Sequence, residues 1–134
     1  MQTVFADSFY FFALTNRHDP AYGKAVAFSQ AYRGRLVTTG FVLIELADGC
    51  ARPAHRRAFA AQIVGDLRNN PNVAIVPCTE QLFEESLDLY KRRPDKELSL
   101  RDCISFIIMT REGITEALTG DQHYEQAGLI ALLK

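Results

Sequence analysis

Apolar residues gather along the chain into five short runs: TVFA (3–6), RLVTT (35–39), VAIVP (73–77), EALTG (116–120) and LIALL (129–133). Runs of this length, bounded by polar and turn-forming residues, predict strands buried on both faces. Between them, apolar positions recur at helical spacing over 8–14, 21–32, 41–50, 55–67, 80–93 and 100–113, with a very short last helix around 122–127. Pro20 suits a first helical turn and Thr79 suits an N-cap. Strands that alternate with helices imply right-handed crossovers. The pattern therefore predicts an α/β fold of three layers, a mostly parallel sheet covered by helices on both faces.

Composition narrows this only a little. A chain of 134 residues, 48% of them hydrophobic, supports one core and not two, so a single domain over 1–134 is expected. No internal repeat or low-complexity segment interrupts it, and RRPDKE (92–97) is the one obvious polar loop. The formal net charge of -1 lacks the bulk signature of a nucleic-acid binder, yet leaves room for a local basic stripe. The N-terminal stretch has no basic leader and carries Asp7 inside its apolar run. It reads as neither a signal peptide nor a membrane span, and a cytoplasmic location is expected. Cys50, Cys78 and Cys103 are odd in number and form no CxxC, so they are read as reduced core thiols. His18, His55 and His123 are not spaced as a metal pair and are assigned to the surface. Only His123, two residues from Asp121, merits mutation.

Acidic residues change the picture more. In open parallel sheets, chemistry collects beyond the carboxyl ends of the strands, where loops lead into helix N-termini. Asp7 follows the first predicted strand and Asp121 follows the fourth, in LTGDQHY. Glu45 lies in FVLIELADG, the helix after the second strand, and Asp102 opens the long helix SLRDCISFIIM before the fourth. Each acid has a simpler explanation. Asp7 and Asp121 could be ordinary N-caps, SLRD approximates a capping box, and Glu45 could sit on a narrow solvated edge of a buried helix. Four acids brought to the same sheet edge are harder to explain one at a time.

Two carboxylates about 5 Å apart repel by about 3 kcal/mol at an effective dielectric of about 20. Such a cluster persists only if some members are protonated or a cation balances them. All-oxygen ligation suits Mg²⁺ or Mn²⁺. Phosphodiester hydrolysis is the matching reaction class, because a hard cation polarises the phosphoryl group and activates water.

The same stretches resemble the motifs of PIN-domain ribonucleases, most closely the toxins of VapBC-type toxin–antitoxin modules. The resembling residues are Asp7 and Ser8 in FADS, Glu45 in FVLIELADG, Asp102 in LSLRDCISFIIM, and Thr119, Asp121 and Tyr124 in the T-x-D stretch. Four motifs in order, each on its proper element, make a specific signal. The resemblance implies a five-stranded sheet of order 3-2-1-4-5 and a Mg²⁺- or Mn²⁺-dependent endoribonuclease acting on single-stranded RNA. It further implies a homodimer neutralised by a small antitoxin. Carried onto this chain, it makes Asp7, Glu45, Asp102 and Asp121 catalytic. Asp7 and Asp102 are the foremost metal ligands, Glu45 and Asp121 complete the cluster directly or through water, and Ser8 and Thr119 support the ligands.

Sequence-independent grip on RNA needs cations near that edge. Arg101 adjoins a proposed ligand, and Lys91, Arg92, Arg93 and Lys96 form the densest basic run. They could line an RNA groove, or merely close a solvated helix end where cations suit the macrodipole. The aromatic stretch 9–12 is assigned to the core or a subunit interface. Three alternatives remain beside the toxin reading: a PIN-like nuclease of RNA processing, an inactive metal-binding or scaffolding module, and a receiver-like signalling domain. The last would require an acidic pair after the first strand and an acceptor aspartate after the third, which FADSF and VAIVPCT do not supply.

Overall fold

The computed structural model describes residues 2–134. Five strands, β1 (Thr3–Ala6), β2 (Arg35–Thr39), β3 (Val73–Val76), β4 (Glu116–Leu118) and β5 (Ile130–Ala131), form one sheet in the order β3-β2-β1-β4-β5. All four neighbouring pairs are parallel. The helices are α1 (Ser8–Leu14), α2 (Tyr22–Ala31), α3 (Gly40–Gly49), α4 (Ala54–Asn69), α5 (Glu80–Arg92), α6 (Leu100–Glu112) and α7 (Gln122–Gln126), with a 3-10 turn at Pro94–Lys96. From β1 the chain moves one way to β2 and β3, then crosses back to β4 and on to β5. Right-handed crossovers in opposite directions put α1–α4 on one face and α5–α7 on the other. Strand order also disposes of the receiver-like alternative, whose doubly wound sheet runs 2-1-3-4-5.

The central strands are buried on both sides, as their apolar runs require. Val4, Phe5, Val37, Ala117 and Leu118 are almost wholly shielded. Tyr10 and Phe11 of α1 are buried too, while Phe9 and Phe12 pack against the core from its margin, in keeping with the core assignment of that aromatic stretch. The helices of α6 and α7 are locked together by an edge-to-face contact of Phe106 with Tyr124, ring centroids 4.9 Å apart. Among the described residues, no helix is long and apolar enough to cross a membrane.

Helix boundaries fall within one or two residues of the sequence expectation, but several details differ. Pro20 lies outside α2. The helix is started instead by Asp19, whose carboxylate accepts from the Ala21 amide at 2.8 Å while its carbonyl accepts from Tyr22. Thr79 does cap α5, accepting from the Leu82 amide at 3.1 Å, and Thr39 caps α3 in the same way through Val42. β4 stops at Leu118 because the Thr119 amide folds back onto the Ala117 carbonyl, which ends the extended run and turns Asp121 outward. β5 is a two-residue edge strand, although Leu132 and Leu133 still donate to the carbonyls of Ala117 and Thr119. Cys50 and Cys103 are buried, as expected, but Cys78 is exposed, because it lies in the link beyond β3 and no longer in the sheet.

At the C-terminus of α6 the chain reverses through Gly113, whose φ of 68° lies in the left-handed region. A Cβ there would meet nothing within 4 Å, so the cost of a side chain is purely conformational. Gly113→Ala is expected to destabilise the fold by about 1 kcal/mol, read as a lower urea midpoint at unchanged m-value, with Gly113→Asn losing less.

Candidate active site

β1 and β4 are neighbours whose following connections diverge, so a crevice opens beyond their carboxyl ends. Asp7 stands at the end of β1 and Asp121 three residues beyond β4. The first turn of α6 brings in Asp102, and α3 brings Glu45 from its middle. All four acids named from sequence therefore belong to this edge, and their contacts connect them.

Asp7 occupies the N-cap position of α1 but makes no side-chain cap bond. The simple cap explanation fails for it. One carboxylate oxygen instead accepts from Thr119 Oγ1 at 2.9 Å and the other from Arg101 Nη1 at 3.0 Å. Thr119 is fully buried and works in both directions, since its Oγ1 also accepts from the Asp121 amide at 3.2 Å. Gly120 makes this turn possible: a Cβ there would lie 2.6 Å from the Phe9 ring. Ser8 is buried beside Asp7 and accepts from the same Arg101 nitrogen.

For Asp102 the capping box is real. Ser99 Oγ accepts from the Asp102 amide at 3.0 Å, and the Ser99 amide donates to Asp102 Oδ2 at 3.3 Å. The box leaves Oδ1 without a hydrogen-bond partner on a side chain only 3% exposed. Asp121 caps α7 through the His123 amide at 2.9 Å, so here too capping and site geometry coincide. Glu45 is the most open of the four, at 39% exposure, and its Oε2 lies 2.8 Å from Arg101 Nε.

Arg101, expected from sequence to grip RNA near this edge, differs in one respect from a free surface cation, because its charge is already shared with the acids. Its guanidinium turns inward and joins Asp7, Glu45 and, more distantly at 3.9 Å, Asp102. The alternation of acid and base at Arg101 and Asp102 hinted at proximity, but adjacent helical residues do not normally face the same way, which hid the inward turn. His123 also differs: it is half-buried, with Nδ1 at 3.2 Å from Asp121 Oδ1 and 3.5 Å from Asp102 Oδ2. Its place two residues after Asp121 was the available signal. His18 and His55 are exposed, as expected.

Charge in the cluster is balanced by two devices. Burial pushes the Asp7 carboxyl above its ordinary range, against the opposing pull of Arg101 and the Thr119 hydrogen bond. Burial alone would lower the Arg101 guanidinium, but Asp7, Glu45 and Asp102 outweigh it and the net shift is upward. Beneath them Tyr124 is fully buried, and burial together with the Asp7 charge holds its hydroxyl well above the usual phenol value. A raised carboxyl pKa means that the folded chain binds the Asp7 proton more tightly than the unfolded chain does. Stability through this group is thus greatest at low pH and falls as pH rises through its folded pKa.

As a donor set, Asp102, Asp121 and His123 each offer one atom, and these atoms lie within 4.8 Å of one another. A buried carboxylate oxygen left without a hydrogen bond fits a cation better than an ordinary cap. The residues present can therefore accommodate a divalent metal.

The chain belongs to the PIN-domain family, whose model matches residues 4–129. It is 28% identical over 128 residues to the 23S rRNA-specific endonuclease VapC20 of Mycobacterium tuberculosis, with 95% of each chain covered. The crystal structure of M. tuberculosis VapC20, a Sarcin-Ricin loop cleaving toxin, superposes with a TM-score of 0.81 at 26% identity, over 95% of this chain and 96% of that one. More distant likenesses of fold include VapBC2 from Rickettsia felis bound to a promoter DNA fragment, with a TM-score of 0.65, 12% identity and 97% of each chain covered. A toxin–antitoxin complex from Klebsiella pneumoniae gives 0.61 at 16% identity, covering 89% of this chain and 87% of that one.

Two outcomes follow for the metal-free protein. Asp7→Asn should raise the melting temperature at neutral pH and flatten its fall between acid and neutral pH, because Arg101 keeps Glu45 and Asp102 while the buried charge disappears. Thr119→Val should lower stability by about 1–2 kcal/mol in urea titration, since it strips a buried carboxylate of a donor and the Asp121 amide of an acceptor, with Thr119→Ser retaining most of it.

Proposed function

We propose that this protein is a divalent-metal-dependent endoribonuclease that cleaves single-stranded RNA as the toxin of a toxin–antitoxin module. The observation that carries this reading is the meeting of Asp7, Glu45, Asp102 and Asp121 at the β1/β4 crevice. Membership of the PIN family and the likeness to a 23S rRNA-specific endonuclease over nearly the whole chain support it. The likeness to VapC20, itself a toxin, favours a toxin over a PIN nuclease of RNA processing.

Asp7 and Asp102 are assigned as ligands of Mg²⁺ or Mn²⁺, with Glu45 and Asp121 completing the set. The bound ion would polarise the scissile phosphoryl group and acidify an attacking water. The chain's own part is positional. Thr119 fixes Asp7 and the Asp121 turn together, Ser99 fixes Asp102 at the head of α6, and Ser8 and Arg101 hold the entrance from β1. Arg101 is held by the acids themselves at the mouth of the crevice, so it is suited to exchange a carboxylate for a phosphate oxygen.

Outer grip on RNA is assigned to the basic run beyond α5. Arg93 and Lys96 line a groove of about 350 Å³ that ends at His123, over an apolar floor that includes Leu98 and Phe106. Lys91 and Arg92 sit in the last turn of α5, where the helix dipole also favours them. A small antitoxin and a second copy of the chain are the proposed partners.

Purified protein freed of antitoxin should cut single-stranded RNA only with Mg²⁺ or Mn²⁺ added. Asp102→Asn should lower the rate at least about 100-fold, and full activity in that variant would refute the site. Lys96→Ala, by contrast, should weaken RNA binding evenly across sequences. It should also flatten the dependence of log affinity on log salt by about 0.7, measured by fluorescence anisotropy without metal.

A further inference from the structure

We propose that the head of α4 is a second RNA-contacting surface, on which Arg52, Arg56 and Arg57 hold backbone phosphates and Phe59 stacks on a base. The proposal rests on the ribonuclease reading above and deepens it, because it puts a grip on the opposite side of the crevice from the α5 groove.

The surface carries charge that the fold does not answer. Arg17, Arg52 and Arg57 are exposed and Arg56 is half-buried. Among the described residues, none of the four is paired with a carboxylate. The acids nearest in sequence are engaged elsewhere: Asp19 accepts from the Ala21 amide at the start of α2, and Asp48 lines the cleft shared by Glu45 and Phe83. The first turn of α4 contains no acid, although the positive end of a helix dipole favours one there. Arginines in that place repel the helix end as well as one another, and a polyanion relieves both repulsions.

Local structure gathers these cations. Arg56 reaches from α4 to Thr15, its Nη2 3.4 Å from the hydroxyl, while its Nε is shielded without a hydrogen-bond partner. This contact sets the α4 head against the turn after α1 that carries Arg17. Arg57 Nη1 folds back onto the carbonyl of Ala51 at 3.3 Å, which keeps its guanidinium at the helix end. Phe59 is 44% exposed and lies one turn beyond His55 and Arg56 on the same helix. An exposed ring among cations is the pairing that a single strand uses, with phosphates on the charges and a base on the ring. An acidic protein segment would answer the arginines and leave the phenyl face in water, whereas a nucleotide occupies both.

The position fits the reaction. α3 runs from the crevice alongside α1, for Gly49 abuts the Phe12 ring and Cys50 Sγ lies 3.8 Å from Thr15 Oγ1. From Glu45 to the end of α3 is about 6–8 Å of helix axis, and Arg52 follows Cys50 by two residues. A strand whose scissile phosphate lies at the acids thus reaches the α4 head within a few nucleotides. The groove of Arg93 and Lys96 lies on the other face of the sheet. Contacts on both sides of the crevice fix the direction of the strand, which a single basic patch leaves free to pivot.

The chain contains no tryptophan, so Phe59→Trp installs a lone reporter. A short single-stranded RNA of mixed sequence, added without metal, should quench its emission, and poly-glutamate at equal charge should not. In fluorescence anisotropy with the same RNA end-labelled, Phe59→Ala should weaken binding about tenfold at unchanged salt dependence. Arg52→Ala combined with Arg57→Ala should flatten the dependence of log affinity on log salt by about 1.4. Arg68→Ala, at the far end of α4, should change neither quantity, and circular dichroism checks that every variant folds. Wild-type affinity and salt dependence in both the Phe59 and the Arg52/Arg57 variants, with the wild type still binding and cutting RNA, would overturn this surface and leave the nuclease reading standing. Quenching by poly-glutamate and not by RNA would overturn it too, assigning the patch to an acidic protein. No RNA binding and no metal-dependent cleavage by the wild type would sink both readings.

Discussion

Carboxylates crowded onto one edge of a parallel sheet repel one another, and the arrangement around β1 and β4 answers that repulsion at every level. Arg101 supplies positive charge from within, reaching Asp7 and Glu45 on two different elements. Burial raises the Asp7 carboxyl above its ordinary range, against the opposing pull of Arg101 and Thr119. The Thr119 hydroxyl and the Ser99 amide donate to the carboxylates of Asp7 and Asp102. Among the described residues, the polar atoms left without a partner around the cluster include Asp102 Oδ1, His123 Nδ1 and the Tyr124 hydroxyl. Charge balance, more than shape, thus decides where a cation can enter.

Topology makes that concentration possible at low structural cost. The crossover from β3 back to β4 places α6 so that its first turn ends over the crevice, and Thr39 caps α3 so that Glu45 approaches from the opposite layer. Each proposed ligand is held by a rigid element or by a cap, and none depends on a long loop. The same residues that terminate strands or start helices carry the polar groups of the site. For Asp102 and Asp121 the question of cap or function has a false premise, because the cap is what aims the carboxylate.

Much of this was legible in the sequence, for physical reasons that can be named. Parallel strands are rich in apolar and β-branched residues, so VAIVP and RLVTT declared themselves, although β3, at the sheet edge, is only half-buried. Acids following such runs had to lie at the carboxyl edge. Strand order itself was not readable from periodicity, and only the likeness of four motifs to a family supplied it. What stayed hidden were contacts set by side-chain direction. Arg101 reads only as a cation beside Asp102, yet its long side chain reaches Asp7 and Glu45 as well. His123 reads as a surface residue because its neighbour Asp102 on α6 is remote in sequence. Pro20 misled because Asp19 supplies the turn that starts α2, and EALTG misled because Thr119 turns back on Ala117.

Asp102 answers to two obligations at once. Its Oδ2 closes the capping box with the Ser99 amide at 3.3 Å, a long bond, while Oδ1 remains free. Any ion that rotates this carboxylate toward itself must weaken the lock at the head of α6. Occupancy of the site and fraying of that helix are then a single equilibrium seen from two ends. The first turn of α6 becomes a reporter, through the exchange of its backbone amides, of whether the acids hold their cation.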